Sequence, residues 1–144
     1  MLAARLTSVL LRSFPYPRYS VGSADFGIRT PDGIRYPDVF VDRETPESKG
    51  TDLVASAPVL LVEILSSSSY GRDFVEKLAD YTGLQTLLHY LIVSQEEPRV
   101  WLWSRDERGE WSGPLEVAGP DHDLVLSSLG VTVPLGELYA GISN

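Results

Sequence analysis

The sequence predicts one α/β or α+β domain in which a mixed β-sheet is flanked by helices. Three observations support this prediction: two stretches with helical periodicity, several apolar runs of strand length, and 43% hydrophobic residues in a chain of 144, enough for one core. No internal repeat or low-complexity segment is visible. We therefore expect residues 1–144 to form a single domain.

The first predicted element is an amphipathic helix over residues 2–12. Its apolar side chains recur at helical spacing, and they are Leu2, Leu6, Val9 and Leu10. Phe14 and Pro15 mark the end of the helix, because proline disfavours its continuation. We expect this helix to cover the core.

A β-hairpin is predicted next. Residues 19–29 predict a strand, the TPDG segment a tight turn in which Gly33 is available for positive φ, and residues 34–42 the return strand. Residues 43–57 are polar, contain Pro and Gly, and lack periodicity, so they predict an exposed loop within the same domain.

The middle of the chain predicts a central strand followed by a helix. Residues 58–66, PVLLVEILS, are apolar on both faces, which is typical of a strand covered on both sides. Serines at 66–69 are candidate caps for a helix over residues 70–84 that closes near Gly83.

The remaining chain continues the sheet and ends in a helix. Three further strands are predicted, at residues 88–94, 99–105 and 109–119. Pro134 opens a short closing helix. Trp101 and Trp103 share one strand face, a pattern that usually indicates a core or a subunit interface and only occasionally a base-stacking platform. We favour packing.

Composition narrows the chemistry to carboxylates. The chain has no cysteine, which excludes disulfides, thiolate nucleophiles and Cys-ligated zinc. His89 and His122 lie far apart without metal-ligand spacing, so carboxylates would hold any metal, which favours Mg²⁺ or Mn²⁺. There is no dinucleotide-binding glycine motif, no phosphate loop and no G-x-S-x-G elbow.

Charge and hydropathy bound the partners and the compartment. A net charge of -8 repels polyanions and argues against tight nucleic-acid binding. The apolar N-terminal stretch is interrupted by Arg5 and Arg12, is too short to span a bilayer and lacks a cleavage pattern. We expect a soluble, cytoplasmic protein that does not bind membranes.

Two acids stand inside predicted core strands. Asp38 follows Pro37 in the hairpin, and Glu63 lies in the middle of the central strand. Burying two carboxylates destabilises a fold, and a shared divalent cation offsets both desolvation costs. Such a cation also acidifies a water molecule for attack, so phosphodiester hydrolysis is the natural use.

The following helix carries a polar face that suits the same site. Asp73, Lys77 and Asp80 are spaced i, i+4 and i+7, beside an apolar stripe that contains Leu78 and Tyr81. The first turns of the helix follow the Glu63 strand closely. Lys77 is therefore a candidate to orient an attacking water or to stabilise charge on phosphate oxygens.

Each of these residues also has a structural interpretation. Glu63 taken alone could be a buried acid paired with Arg35 or Arg72, and Asp38 a turn residue after proline. Asp73 and Lys77 alone form an ordinary surface pair. The four serines at 66–69 are more typical of caps than of nucleophiles.

Several segments in a fixed order resemble one known family. The segments are RYPDVFVD, PVLLVEILSSSS, GRDFVEKLADY, LHYLIVSQEEPRVWLW and GEW. Together they resemble the Uma-type restriction endonuclease family of the PD-(D/E)XK nuclease superfamily, over roughly residues 20–140. The resemblance implies a restriction-endonuclease-like core, a metal-dependent phosphodiesterase site and a homodimer.

The resemblance also implies roles for individual residues. Asp38 matches the aspartate of the Pro-Asp motif and Glu63 the strand glutamate, and both would bind Mg²⁺ or Mn²⁺. The usual lysine position holds Leu65, but Lys77 matches the helix lysine of other branches. Asp73 matches an acid that supports the metal shell or the lysine.

One departure from the family concerns the N-terminus. Family members carry an upstream hairpin with a Glu-Leu-x-x-Gly-like motif, whereas this chain begins inside the first helix. We expect either a shortened, inactive variant or a start codon further upstream. A shortened domain would lack edge strands and an accessory acid.

Three functions follow from the sequence. The first is a metal-dependent DNA endonuclease of modest affinity, in which arginines contact phosphates; the candidates are Arg29, Arg35, Arg72 and Arg99. The second is a catalytically degenerate nuclease fold that acts as a dimeric interaction or regulatory module, with the Trp101 and Trp103 face as a candidate dimer surface. The third is a nuclease for RNA or for branched or single-stranded DNA.

Overall fold

A six-stranded mixed β-sheet forms the centre of this computed structural model. The structure describes residues 2–15, 17–23, 27–30, 33–43, 54–55, 57–65 and 72–140. In chain order its elements are α1 (Leu2–Ser13), β1 (Tyr19–Ser23), β2 (Gly27–Thr30), β3 (Gly33–Arg35), β4 (Val39–Arg43), β5 (Val54–Ala55), β6 (Pro58–Leu65), α2 (Arg72–Tyr81), β7 (His89–Ser94), β8 (Arg99–Arg105), β9 (Trp111–Ala118), β10 (Asp123–Leu126), a 3₁₀ helix (Ser127–Leu129), β11 (Val131–Pro134) and α3 (Leu135–Leu138).

The large sheet has the strand order β1-β4-β6-β7-β8-β9. Its inner strand β6 is antiparallel to β4 and parallel to β7, and the other neighbours are antiparallel. A parallel pair needs a crossover connection, and α2 lies in that connection. The predicted mixed sheet with residues 58–66 as an inner strand is confirmed.

The predicted hairpin is present but is split between two sheets. β1 pairs with β4 in the large sheet, whereas β2 pairs with β3 in a small one. Pro37 has no N–H to donate, so the ladder stops near it. The prediction of two continuous strands was wrong for this reason, while Gly33 takes the predicted positive φ of 143°.

Part of the predicted loop at 43–57 is a strand. β5 pairs in parallel with β2 and completes the small sheet β3-β2-β5. The loop prediction was therefore wrong for these two residues, because a two-residue strand has no sequence period of its own. Residues 44–53 lie outside the described part of the chain.

Apolar layers cover both faces of the large sheet. On one face, α1 and α3 pack over Leu60 and Val62 of β6. The predicted apolar stripe of α1 is at most 4% exposed, and its members are Leu2, Leu6, Val9 and Leu10. On the other face, Leu78 and Tyr81 of α2 pack in a second cluster with Leu61. Because strand side chains alternate between faces, Glu63 points to the same side as Leu61, beneath α2.

Trp101 and Trp103 belong to the second core cluster. They are 7% and 8% exposed, and the Trp103 ring centroid lies 5.4 Å from that of Tyr90. The prediction of packing is confirmed. The same burial means that these tryptophans cannot form the suggested dimer surface, because the chain's own α2 side of the core already covers them.

The C-terminal region adds elements that the sequence did not predict. β10 and β11 form an antiparallel pair joined through the 3₁₀ helix, and they precede the predicted closing helix, which is α3. Leu135 and Leu138 of α3 are fully buried against the α1 side of the core. No helix in the described part of the chain has the length and hydropathy needed to cross a membrane.

Candidate active site

Glu63 of β6 contacts a lysine from the overlying helix. Its Oε2 accepts a hydrogen bond from Lys77 Nζ at 2.8 Å. The Glu63 side chain is 6% exposed and the Lys77 side chain is 24% exposed, so the ion pair lies at the edge of the core and the lysine reaches solvent. The observed partner is a lysine, where the structural interpretation had suggested an arginine.

The second oxygen of the Glu63 carboxylate has no hydrogen-bond partner among the residues that the structure describes. Oε1 is buried and accepts no hydrogen bond from the described residues. Burial raises the pKa of Glu63; the Lys77 ammonium partly opposes this rise, and the charge of Asp38 adds to it. An unsatisfied buried oxygen costs about 1–3 kcal/mol. This cost indicates a position that a ligand can fill.

Asp38 lies beside Glu63, where two strands of the sheet separate. The β4–β6 ladder ends at the pair Val39 and Val62. Beyond that pair, Asp38 Oδ2 accepts a hydrogen bond from the Ile64 N–H at 2.7 Å. The side chain thus replaces a backbone acceptor, and it holds the Asp38 carboxylate next to the residue that follows Glu63.

The structure therefore brings Asp38, Glu63 and Lys77 into one site, as the sequence pattern suggested. Their chemical roles stay predictions. Asp73 and Arg72 lie in the first turns of α2, but their side chains lie outside the described part of the structure. The predicted roles of Asp73 beside the metal and of Arg72 in nucleic-acid binding therefore stay predictions.

The oxygens at this site fit a hard divalent cation. Within the described residues there is no group of three or more His, Cys, Asp or Glu side chains that could hold a metal. Mg²⁺, however, usually keeps several waters and binds through one or two carboxylates. Asp38 and Glu63 would supply those carboxylates, and the unpartnered Oε1 is the donor that most needs a ligand.

A second buried acid, Asp80, lies one turn further along α2. It is 6% exposed, and its Oδ2 accepts hydrogen bonds from Arg35 Nε at 2.5 Å and from Thr30 Oγ1 at 2.8 Å. Sequence reasoning placed Asp80 on the polar helix face and missed this pair. The available signal was its position directly before the apolar stripe residue Tyr81.

A family comparison matches nearly the whole chain. The sequence model of the Uma2 family, described as "Putative restriction endonuclease", matches residues 2–135. The chain belongs to the Uma2 family. This membership confirms the resemblance seen in the sequence segments.

Curated relatives of this Uma2 protein come from Synechocystis sp. (strain ATCC 27184 / PCC 6803 / Kazusa). "Uncharacterized protein slr1290" is 26% identical over 145 residues, which cover 99% of this chain and 75% of that protein. "Uncharacterized protein sll1609" is 31% identical over 77 residues, which cover 53% of this chain and 44% of that protein.

A solved structure has the same fold as this Uma2 protein. It is a "putative nuclease belonging to DUF820" from Anabaena variabilis ATCC 29413, with a TM-score of 0.70 and 16% sequence identity. The match covers 96% of this chain and 78% of that chain. The similarity confirms the predicted fold class, a mixed sheet of the nuclease type.

Tyr81 of α2 is a buried neighbour of Glu63 and was not predicted as a site residue. It is 1% exposed and lies four residues after Lys77, on the same side of α2. Its ring centroid lies 5.3 Å from that of Tyr90. Burial, followed by the charge of Glu63, raises the pKa of Tyr81, so the hydroxyl stays protonated at neutral pH.

The candidate phosphate-binding arginines of this Uma2 protein differ in their surroundings. Arg35 is engaged with Asp80, and its side chain is 29% exposed. Arg99 of β8 pairs with Glu97, just before β8, and with Glu116 of β9. The side chain of Arg29 lies outside the described part, as does that of Arg72. Nucleic-acid contact by any of them stays a prediction.

Proposed function

We propose that this Uma2 protein is a metal-dependent nuclease that hydrolyses phosphodiester bonds in DNA. The observation that supports this function is the position of Asp38 beside a Glu63 carboxylate whose Oε1 is buried and unpartnered in the described residues. An Mg²⁺ or Mn²⁺ ion at these oxygens would complete the coordination of Oε1 and offset the desolvation of both acids.

The roles of the chain's own residues follow from their contacts. A bound divalent cation would supply positive charge to the scissile phosphate and acidify a nearby water. The Ile64 amide holds the carboxylate of Asp38 in place, and the Lys77 ammonium holds that of Glu63. Lys77 reaches solvent and can donate a hydrogen bond to a phosphate oxygen as negative charge builds up there.

Mn²⁺ binding by titration calorimetry tests the site directly. We expect the wild type to release heat at millimolar Mn²⁺ and Glu63→Ala to release none, because a principal carboxylate is gone. Glu116→Ala is the matched control, since Glu116 is a half-exposed acid on β9, away from the site. No heat with the wild type, or equal heat with Glu63→Ala, would contradict the metal assignment.

Cleavage assays define the substrate. We expect the wild type to cut DNA with Mg²⁺ or Mn²⁺, to stop with chelator, and to lose at least about 100-fold in kcat in Lys77→Met, as when a donor to a developing oxyanion is removed. A panel that includes RNA and branched or single-stranded DNA separates the polymers. Cleavage that persists in chelator would contradict metal dependence.

One contact favours a second candidate function. The Lys77 ammonium neutralises the Glu63 carboxylate without a metal ion. This suits a catalytically degenerate nuclease fold that acts as a dimeric interaction or regulatory module. This candidate requires no Mn²⁺ binding, no cleavage and a dimer in gel filtration. A strict monomer would contradict the homodimer in either function.

A further inference from the structure

The ion pair between the partly exposed Arg35 and the buried Asp80 has no role in the proposed chemistry. It joins α2 to the β2–β3 hairpin, with Thr30 as a second donor to the same Asp80 oxygen. Replacing a buried ion pair by apolar residues is often neutral or stabilising. Net stability is therefore a poor explanation for this pair, and its position in the chain suggests another.

The pair joins the two segments that carry Asp38 and Lys77, the residues on either side of Glu63. Arg35 comes three residues before Asp38, and Asp80 comes three residues after Lys77. Residues spaced i and i+3 lie on one side of a helix, so a contact that fixes Asp80 also fixes the height of Lys77 above β6. Pro37 restricts the backbone between Arg35 and Asp38.

We propose that Asp80 and Arg35 are positioning residues, whose ion pair sets the placement of Lys77 and Asp38 around Glu63. The inference rests on the proposed function, because it assigns these residues to the geometry of the same nuclease site. Neither positioning residue contacts the reacting atoms. The pair acts through the helix on one side and through the Pro-Asp segment on the other.

The test measures the coupling between Lys77 and Glu63 in the metal-free chain of 144 residues. A double-mutant cycle with Lys77→Met and Glu63→Gln gives this coupling from urea denaturation. We expect the coupling to fall to less than half in an Asp80→Asn background, because the helix no longer holds the ammonium at 2.8 Å from Glu63. A Glu116→Gln background is the matched control, in which the coupling should stay at the wild-type value.

An apolar replacement keeps the test valid if Asp80→Asn folds poorly. The double variant Arg35→Met/Asp80→Leu removes both charges of the pair, so it leaves no unpaired charge in the core and should fold. We expect the same loss of coupling in that background. Unchanged coupling in a folded variant of either kind would overturn the proposal, as would an effect of Arg35→Met on DNA affinity alone.

Kinetics add a second measurement that a purely structural role would not change. We expect Asp80→Asn to lower kcat with little change in KM. Arg35→Lys should lower kcat less than Arg35→Met does, because lysine keeps the positive charge. Equal effects of Asp80→Asn on kcat and KM would contradict positioning. A wild type that cleaves nothing contradicts the proposed function instead, and the coupling measurement still decides the positioning role.

Discussion

Three carboxylates are buried in the described part of the chain, and their surroundings differ. Asp42 accepts a hydrogen bond from the Ala57 amide at 2.7 Å, and Asp80 accepts from Arg35 and Thr30. Among the three, only Glu63 has a buried oxygen without a partner in the described residues. Native proteins satisfy nearly all buried polar atoms, so this oxygen makes Glu63 the candidate of the three for binding a ligand.

Another buried titratable side chain, His89, predicts a pH dependence of stability. Its Nδ1 faces Ser104 Oγ at 3.0 Å, and its Nε2 accepts from the Ser128 amide at 3.2 Å, so the ring is neutral. Burial lowers the pKa of His89 to about 4. The unfolded state, with a pKa near 6.5, binds the proton first as pH falls. This contribution to stability is therefore full above pH 6.5 and is lost progressively towards pH 4.

The measurement is urea denaturation at pH 7.5 and at pH 5. We expect His89 to account for about 2 kcal/mol of the loss in unfolding free energy between these values. His89→Gln should show a smaller loss by that amount, whereas His122→Gln, at an exposed position, should behave as the wild type. Equal pH dependence of His89→Gln and the wild type would contradict the assignment.

At the scale of elements, the contact between β1 and β4 depends on one glycine. Gly22 lies opposite Phe40 in the ladder, and the Phe40 ring covers it: a Cβ built on Gly22 would stand 2.5 Å from Phe40 Cε1. An aromatic ring that covers a glycine across a strand pair protects the backbone there. Any larger residue at 22 must displace the ring from the second core cluster.

We expect Gly22→Ala to lower the free energy of unfolding by about 1–3 kcal/mol, as overpacking does in other cores. Urea denaturation provides the value. Ser20→Ala, on the same strand at an exposed position, should change stability by less than about 0.5 kcal/mol. Recovery of stability in Gly22→Ala/Phe40→Leu would identify the ring as the cause, and an unaffected Gly22→Ala would contradict the close contact.

At the scale of the whole molecule, charge governs the proposed encounter with DNA. The net charge of -8 gives no general attraction, so binding would depend on a few local cations. For two to four phosphate contacts, affinity should fall by roughly 10- to 150-fold between 50 and 200 mM salt. Fluorescence anisotropy with Glu63→Ala, which we expect not to cleave the DNA, measures this slope. An affinity independent of salt would contradict phosphate contacts.

The sequence predicted what depends on local pattern. The α1 stripe follows from a repeat of 3.6 residues, the inner strand β6 from a short run that is apolar on both faces, and the strands β7 to β9 from apolar runs of strand length. The same reasoning placed Asp38, Glu63 and Lys77 near one another, because the chain order of the strand and helix limits where they can lie. The sequence therefore predicted that these three residues lie close together, but it did not establish their chemical roles.

What the sequence could not predict depends on contacts between distant segments. The burial of Asp80 depends on its ion pair with Arg35, which lies 45 residues away in the sequence. The Asp38 side chain is held by the Ile64 amide, 26 residues away. The strands β10 and β11 acquire their pairing only from each other. No window of neighbouring residues contains this information.

The hydrogen bond from the Ile64 amide to Asp38 links the site to the hydrogen exchange of one backbone amide. Most amides within a sheet are protected by carbonyls of the neighbouring strand, and they exchange when strands separate. The Ile64 amide is protected by a side chain, so its protection depends on the carboxylate that is proposed to bind metal. A single backbone proton in β6 therefore reports on the state of Asp38 without any substrate.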